Sequence, residues 1–281
     1  MWRMKWGRKK TGVSDLLTDE QLAFLECYPP PPQLFAVVTW GCAATSWLAH
    51  VLNSHPDIYC AHAANVFWSK LGNIPQLDGL KYLRIIGSQG YCYKAAGDVH
   101  GVSREAVKEV RAVLGDDFSC AVVIREPIAR LHSQVALFAR FKGLPLWNVD
   151  YLNHVIGRLS LPDPSYETRL FVHGVNMLNS VVQERHVAPI YRSEDLTANP
   201  AILREFAELV TGGKVKFTDN WAEEMISRPS LNPHRTPEQK VKDFADWQID
   251  VIRSVVDPEA WRIYSEFGYE VPGFVNVVAK T

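Results

Sequence analysis

Short apolar runs alternate with amphipathic stretches along most of this chain, a pattern typical of strands and helices that follow one another. The runs Phe35–Val38, Ile58–Ala61 and Cys120–Ile124 consist almost entirely of apolar and small residues, as in parallel strands that are covered on both faces. We also predict strands over Gly90–Lys94 and Val187–Tyr191. Strands separated by helices predict an α/β fold with a central, mainly parallel sheet.

The segment before the first strand differs from the rest of the chain. We predict a helix over residues 14–27, and Tyr28 is followed by consecutive prolines that form a stiff, extended lead-in. We therefore divide the chain into an N-terminal helix and lead-in, residues 1–33, and one α/β domain, residues 34–281. A chain of 281 residues with 47% hydrophobic residues can bury one large core and does not require a second.

A turn rich in small residues follows the first strand and leads into a helix. Small residues let a backbone turn approach an anion, and hydroxyl and amide groups at a helix N-terminus can donate to it. The residues of this turn and helix start are Gly41, Cys42, Ala43, Ala44, Thr45, Ser46 and Trp47. The Walker pattern Gly-x4-Gly-Lys-Ser/Thr is absent from it. Taken alone, the stretch fits a phosphate site and an ordinary strand-to-helix turn equally well.

A second strand-to-helix junction carries basic residues. Arg125 ends the strand, and Pro127 begins a helix. On that helix Arg130 and Ser133 are three positions apart and share a face, so two guanidinium groups and a hydroxyl can converge on one anion. The planar fork of arginine matches two phosphate oxygens, and the junction therefore favours a phosphate-bearing ligand.

These stretches resemble the nucleotide-binding segments of sulfotransferases that use 3′-phosphoadenosine 5′-phosphosulfate (PAPS). The family pattern Arg-x-Pro-x-x-Arg-x-x-Ser matches Arg125–Ser133 in full. The family turn Thr-Tyr-Pro-Lys-Ser-Gly-Thr-Thr-Trp is similar to Thr39–Trp47. Two further segments toward the C-terminus, the first of them Ile190–Pro200, extend the resemblance over about residues 34–272.

The resemblance implies a P-loop NTPase-like sulfotransferase architecture and an enzyme that moves a sulfuryl group from PAPS to a hydroxyl or amine. The product of the donor is then 3′-phosphoadenosine 5′-phosphate (PAP). By the resemblance, Thr45 and Ser46 hold the 5′-phosphate, Trp47 stacks on adenine, and Arg125 and Ser133 hold the 3′-phosphate.

Two more positions come from the same resemblance. Ser193 replaces a tyrosine that often precedes Glu-Asp in the family, beside the adenine. Arg235 is the candidate from a late loop that closes over the 3′-phosphate in the family, and a solvated surface loop is the alternative for it.

The catalytic positions of the family are changed in this chain. Cys42 stands where a lysine or arginine usually stabilises the oxygen between phosphate and sulfate, and Lys94 matches another family lysine that we predict to substitute. Ala96 stands where the family has a histidine, so His100 is the candidate general base, with a loop-capping histidine as the alternative. Cys42 lies just before a helix N-terminus, which can lower the pKa of a thiol. The alternative is that Cys42 has only a packing role in the turn.

Other functions stay open at this point. The changes at Cys42 and Ala96 also fit a sulfotransferase-fold protein that binds PAPS or PAP without catalysis. A nucleotide kinase on a related P-loop fold is a further candidate, and the missing Walker lysine counts against it.

The composition of the chain limits which binding partners and which cellular location we expect. With 30 basic and 31 acidic residues, the chain shows no charge pattern for nucleic acid or a long polyanionic glycan, which favours a small-molecule acceptor. The five cysteines form no Cys-x-x-Cys pair and the histidines lack ligand spacing, so we predict no metal site. No signal-peptide or membrane-length apolar stretch follows the basic start, which predicts a cytoplasmic protein with no membrane partner.

Acceptor specificity is expected in the stretches inserted between the core elements, residues 65–89 and 138–184. Their aromatic side chains can line a partly apolar pocket, or they can be ordinary core residues. These aromatic residues are Phe67, Trp68, Phe138, Phe141, Trp147 and Tyr151.

Overall fold

A five-stranded parallel sheet with the strand order β2-β3-β1-β4-β5 forms the centre of the protein. The structure, a computed structural model, describes residues 33–40, 42–65, 77–139, 149–161, 165–227 and 237–269. The strands are β1 (Gln33–Val38), β2 (Ile58–His62), β3 (Ala95–Val99), β4 (Phe118–Ile124) and β5 (Ile190–Arg192). The predicted α/β fold with a parallel central sheet is confirmed.

Helices connect these strands and cover both faces of the sheet. They are α1 (Thr45–Asn53), α2 (Gly79–Gln89), α3 (Arg104–Leu114), α4 (Pro127–Ala139), α5 (Val149–Arg158), α6 (Tyr166–Asn176), α7 (Val181–Glu184), α8 (Ser193–Ala198), α9 (Pro200–Val210), α10 (Asp219–Ser227), α11 (Pro237–Val241), α12 (Asp246–Val255) and α13 (Pro258–Glu266). Among the described residues, none of the helices has the length and apolar character needed to cross a membrane. The helix predicted over residues 14–27 lies outside the described residues.

The side chains of β1 show why its sequence is continuously apolar. Leu34 and Ala36 pack into a core with α2 to α7, α12 and α13, whereas Phe35 and Val37 pack into a second core with α1 and α8 to α10. Successive residues of a strand point to opposite faces, so a strand that is covered on both sides needs apolar residues at every position.

β3 lies one strand length further along the chain than predicted. Residues 90–94 form the turn after α2, and the strand that pairs with β1 and β2 is Ala95–Val99. The residues of β3 are mostly small or polar, so the sequence contains little hydrophobic signal that this strand is buried. Gly97 is required because a Cβ at this position would overlap the carbonyl oxygen and ring of Phe35. The last strand is also shifted, from the predicted Val187–Tyr191 to Ile190–Arg192.

The order of the strands creates a crevice between the carboxyl ends of β1 and β4. The chain leaves β1 through α1 toward β2, and it later crosses to the other side of β1 to form β4 and β5. Ligands of open parallel sheets bind at such a reversal of direction, outside the carboxyl ends of the strands. The two junctions singled out in the sequence meet at this crevice.

Candidate functional site

The turn between β1 and α1 has a backbone conformation that non-glycine residues rarely adopt. Cys42 and Ala44 have φ angles of 55° and 58°, in the left-handed region. Such conformations cluster where a turn must present its backbone to a ligand. Ala44 is the N-cap of α1 and has no side-chain oxygen to cap it, so the first amide groups of α1 face the crevice uncapped. Gly41 lies outside the described residues.

Arg125 connects this turn to the helix after β4. Its Nη1 donates to the carbonyl oxygen of Cys42 at 2.6 Å and to the Oγ of Ser133 at 3.2 Å. Within the described part of the chain, the Nε and Nη2 of Arg125 make no hydrogen bond. The structure therefore brings Arg125 and Ser133 together beside the small-residue turn, with guanidinium donors left for a ligand.

The start of α4 explains why Arg125 and Ser133 are positioned in this way. Pro127 occupies the first helical position, and the buried carboxylate of Glu126 accepts from the amides of Ile128, at 2.9 Å, and Ala129. Burial raises the pKa of Glu126, and these amide donors oppose that shift. Glu126 therefore caps the helix, and Arg125, just before it, points across the crevice.

Arg130, the second arginine of the motif, is directed into the interior. It is 3% exposed, and its charge opposes the burial that raises the pKa of Glu184 to about 6 and of Tyr264 to about 12. Hydrogen bonds in the described structure join Arg125 to Ser133 and to the turn, whereas Arg130 is buried and reaches the turn through its charge, which acts on Cys42.

His100 follows β3 at the carboxyl edge of the sheet. Its amide donates to the carbonyl oxygen of Val37 at 2.9 Å, and its Nδ1 contacts the carbonyl oxygen of Thr39. A carbonyl oxygen can only accept, so Nδ1 carries the proton and Nε2 is the basic nitrogen of the ring. The tautomer is the one that a general base at this edge requires.

His62 is a site residue that the sequence analysis did not single out. It ends β2, and its Nε2 lies 3.0 Å from the Oγ1 of Thr45 at the start of α1. Burial lowers the pKa of His62, which favours the neutral form of the ring. Its position directly after a predicted strand of a parallel sheet was the available signal, because such positions meet at the carboxyl edge.

Lys94 lies at the opposite edge of the sheet. β3 begins one residue after Lys94 instead of ending there, so the side chain is a full strand length from the crevice. Its Nζ is 2.8 Å from the Oδ2 of Asp57, and the side chain is 57% exposed. The structure therefore does not bring Lys94 to the candidate site. A cation other than Lys94 is needed to replace the family lysine at the position of Cys42.

The remaining candidates are distributed around the crevice. Ser46 is exposed on the first turn of α1, and Trp47 is half-buried against the core of α1, α9 and α10. Ser193 starts α8 at the carboxyl end of β5, where its Oγ donates to the Oε2 of Glu194 at 3.2 Å. Arg235 lies outside the described residues.

Of the aromatic residues suggested for the acceptor, Tyr151 packs at the margin of the core, as the ordinary-core alternative predicts. The positions of Phe67, Trp68, Phe141 and Trp147, and the side chain of Phe138, lie outside what the structure describes.

The thiol of Cys42 does not have the lowered pKa that a helix N-terminus can produce. Burial raises the pKa of Cys42, and the charges of Arg130 and Arg125 only partly oppose it. The residue is therefore a neutral thiol in the turn. The described residues include no cluster of three or more His, Cys, Asp or Glu side chains that would suit a metal ion.

Comparison with known proteins finds similarity to solved structures only. No protein-family model matches the chain, and no curated protein matches it. A solved structure that is similar to this chain is that of a sulfotransferase from Alicyclobacillus acidocaldarius, with 16% sequence identity and a TM-score of 0.42. The match covers 82% of this chain and 98% of that chain. Similarity at this level transfers no activity or ligand to this chain.

Proposed function

We propose that the protein is a cytoplasmic sulfotransferase that binds PAPS between β1 and β4 and transfers its sulfuryl group to a hydroxyl or amine of a small acceptor. The contact of Arg125 with both the Cys42 carbonyl and the Ser133 hydroxyl carries this proposal. This contact places the guanidinium of Arg125 and the hydroxyl of Ser133 beside the uncapped N-terminus of α1. A nucleotide with phosphates at both its 3′ and 5′ positions matches two adjacent anion sites of this kind.

The residues of the crevice fit such a ligand. The Nε and Nη2 of Arg125 and the hydroxyl of Ser133 supply donors for the 3′-phosphate. The amides of α1 and the hydroxyls of Thr45 and Ser46 supply donors for the 5′-phosphate. Trp47 lies one residue further along α1, where its ring can stack on the base.

The residues at the edge can also assist transfer. PAPS supplies the activated sulfuryl group. His100 accepts the proton of the acceptor at Nε2 as the new bond to sulfur forms and the bond between sulfur and the phosphate oxygen breaks. His62 holds the Thr45 hydroxyl in place, and Arg125 contributes positive charge on the side of the leaving phosphate.

A PAPS-binding or PAP-binding protein without catalysis is the second candidate, and one observation favours it. Cys42 occupies the position of the family lysine, and Lys94 is at the far edge. Loss of one donor to the developing charge costs on the order of 2.7 to 4 kcal/mol in transition-state stabilisation. Arg125 and Arg130, whose charges both act on Cys42, are cations that can compensate.

Nucleotide binding to the wild type and to Arg125→Ala tests the proposal. By calorimetry, PAP should bind the wild type more tightly than AMP, which lacks the 3′-phosphate. Arg125→Ala should weaken PAP binding by about tenfold or more, the loss of one charged contact, and should change AMP binding much less. Arg158→Ala, an exposed arginine of α5, is the control. Equal PAP affinity in Arg125→Ala and wild type would remove the basis of the proposal.

Two further measurements separate the alternatives. Release of PAP from PAPS in the presence of a panel of phenols, alcohols and amines would identify an enzyme, whereas PAP binding with no transfer to any of them would favour the binding protein. Thermal stabilisation by ATP but not by PAP would instead indicate a nucleotide kinase.

A further inference from the structure

A buried carboxylate lies near the carboxyl ends of β2 and β3, where His62 and His100 are found. Asp98 belongs to β3, two residues before His100, and it is fully buried. The residues opposite Asp98 in the neighbouring strands are Ala36 and Ala61, whose small side chains leave room for a polar group. The proposed transfer reaction does not use Asp98. A carboxylate in the core, where charged groups are rare, therefore requires its own explanation.

Tyr82 of α2 orients this carboxylate. The Tyr82 hydroxyl donates to the Oδ2 of Asp98 at 2.7 Å, and the tyrosine is itself fully buried. Gly101 lies against the same pair, because a Cβ at this position would overlap the Oδ1 of Asp98 and the ring of Tyr82. A larger residue at position 101 would displace the carboxylate, so the glycine lets the backbone after β3 approach it closely.

Backbone amides from two segments face the carboxylate. Burial raises the pKa of Asp98 to about 7, and the Tyr82 hydroxyl opposes this rise. The amides of Gly101, Ala64 and Ala63 oppose it further, so all three lie close to the carboxylate. Gly101 follows β3, whereas the two alanines follow β2. Asp98 is therefore a point at which the segments after β2 and β3 are held together.

Asn65 joins the same two segments a second time. It is 2% exposed, and its Nδ2 donates to the carbonyl oxygens of Leu77, at 3.0 Å, and Gly101, at 3.4 Å. The Oδ1 of Asn65 accepts from the amide of Leu77 at 3.0 Å. The segment after β2 is thus attached to the segment after β3 and to the chain just before α2.

Each of the two segments contains a residue whose backbone conformation needs support. Ala63 and His100 have φ angles of 51° and 75°, in the left-handed region that non-glycine residues rarely adopt. Such a conformation costs free energy and persists only where the surrounding structure holds it. Because Ala63 directly follows His62, these two conformations set the directions in which the chain carries both histidines past the ends of their strands.

The contacts of the two histidines depend on those directions. The Nε2 of His62 is 3.0 Å from the Oγ1 of Thr45, and the Nδ1 of His100 contacts the carbonyl oxygen of Thr39. A displacement of about 1 Å at a reacting group can change a rate on the order of 10²-fold. A buried carboxylate that is costly to ionise is typical of a group retained for function at the expense of stability.

We propose that Asp98, oriented by Tyr82, is a positioning residue that holds His62 and His100 in place at the carboxyl edge of the sheet. Asp98 acts through the backbone segments that carry the two histidines. Its effect on sulfuryl transfer rests on the proposed function, in which His100 is the base. Its effect on the two segments does not.

Amide hydrogen exchange measured by NMR tests the hold on the two segments without an assay of activity. The amides of Ala63 and His100 each donate to a carbonyl oxygen of the neighbouring strand at 2.9 Å, so each reports on one segment. Tyr82→Phe should speed their exchange about tenfold or more, as expected for the loss of one hydrogen bond to a carboxylate. The amide of Val122 in β4, bonded to the carbonyl oxygen of Pro189 at 2.9 Å, is the reference and should change less than about twofold.

Tyr59→Phe is the matched control, because the Tyr59 hydroxyl bonds to Gln89 at an exposed site. It should leave the exchange of all three amides unchanged. Tyr82 is buried and its variant can be unstable, so Asp98→Asn is the second test. At pH 8 it should speed exchange at the amides of Ala63 and His100, because asparagine offers one acceptor oxygen where the carboxylate offers two. Equal acceleration at the reference amide, or none at the two reporting amides, would overturn the proposal.

Single-turnover rates at saturating PAPS test the effect on the reaction. Tyr82→Phe should lower the rate about tenfold or more and leave PAP affinity unchanged. In the His100→Asn background the same substitution should lower the rate less than about threefold, since only His62 is left to be held. Equal losses in the two backgrounds would show that Asp98 does not act through His100 and would also overturn the proposal. If the protein neither binds PAP nor transfers a sulfuryl group, the proposed function fails, and the amide exchange still decides whether Asp98 holds the two segments.

Discussion

Arg125 spans the crevice from the end of β4 to the carbonyl oxygen of Cys42, with an N···O distance of 2.6 Å. The acceptor is the backbone carbonyl of Cys42. Cys42 presents this carbonyl to Arg125 in a conformation with a positive φ. The contact therefore ties the phosphate-binding candidates after β1 to those after β4. Binding at either end of a nucleotide should then order the other end, because both depend on the same guanidinium.

Ser133→Ala should weaken PAP binding about three- to tenfold, which corresponds to one hydrogen bond of about 1 kcal/mol. Ser133 accepts from Arg125, so the variant also loses one of the two contacts that orient the guanidinium. Calorimetric titration with PAP measures the change. Ser88→Ala is the matched control, because the Ser88 hydroxyl donates to carbonyl oxygens of its own helix. Similar affinities for both variants would remove Ser133 from the nucleotide site.

His100→Asn should reduce the rate of sulfuryl transfer about 10²- to 10⁴-fold, the usual contribution of a general base, and should leave PAP affinity unchanged. Asparagine is chosen because His100 has a φ of 75°, a conformation that asparagine tolerates better than alanine does. Single-turnover rates with saturating PAPS measure the loss.

His62→Gln is the comparison for His100→Asn. We expect a smaller loss from it, since His62 contacts the Thr45 hydroxyl and acts on the reaction through that residue. A larger loss in His62→Gln than in His100→Asn would assign the base to His62.

Cys42 should react with iodoacetamide at pH 7 more slowly than Cys92. Burial raises the pKa of Cys42, so the reactive thiolate is scarce, whereas Cys92 is exposed on the turn before β3. Peptide mapping by mass spectrometry at several time points measures both rates. PAP should slow the reaction of Cys42 further and leave that of Cys92 unchanged; protection of Cys92 alone would put the nucleotide elsewhere.

The sequence predicts the parallel sheet because both faces are covered, which makes strands such as Phe35–Val38 continuously apolar. β3 is not predictable in the same way. Its residues, Ala-Ala-Gly-Asp-Val, have little hydrophobic character, and their burial follows from packing against β1 and from the Tyr82 bond to Asp98. Misplacing this strand by one strand length assigns Lys94 to the crevice when it belongs to the opposite edge.

The candidate site, like the sheet, has features that local sequence predicts and features that it does not. The spacing of Arg125, Pro127 and Ser133 depends on one helix and its start, so local rules are enough to predict that Arg125 and Ser133 lie together. The contact of His62 with Thr45 depends on where β2 and α1 sit around the sheet, which no local pattern specifies. Arg130 has a helix position suited to the crevice, yet tertiary packing directs it inward to the region of Glu184.

Gly97→Ala should destabilise the fold by about 1–3 kcal/mol or more, the usual cost of overpacking a tight core. A Cβ at position 97 would overlap the backbone carbonyl and ring of Phe35, which lies directly opposite Gly97, and the carbonyl cannot move away without disturbing the pairing of β1 with β3. Urea denaturation measures the free energy of unfolding. Gly157→Ala on α5 is the control, since its Cβ would meet open space, and it should stabilise the protein by about 0.5–1 kcal/mol. Equal effects of the two substitutions would contradict this account of β3.

Stability should fall as the pH rises from 4 to 7, because of Asp98. Burial raises the pKa of Asp98 to about 7, and the Tyr82 hydroxyl and nearby backbone amides offset only part of that shift. In the unfolded chain the same carboxyl ionises near pH 4. Between these values the unfolded state loses a proton that the folded state keeps, so raising the pH favours unfolding, and above about pH 7 the loss is complete.

Asp98→Asn removes this titration and keeps an oxygen that can accept from the Tyr82 hydroxyl at 2.7 Å. Relative to the wild type, the variant should therefore gain stability between pH 4 and pH 7, by at least about 1 kcal/mol, since one pKa unit corresponds to about 1.4 kcal/mol. Urea denaturation at pH 4, 5.5, 7 and 8 measures the difference. Asp116→Asn, on the exposed turn before β4, is the control and should follow the wild type at every pH. A constant difference between Asp98→Asn and the wild type from pH 4 to pH 8 would mean that Asp98 is ionised in the folded protein throughout that range.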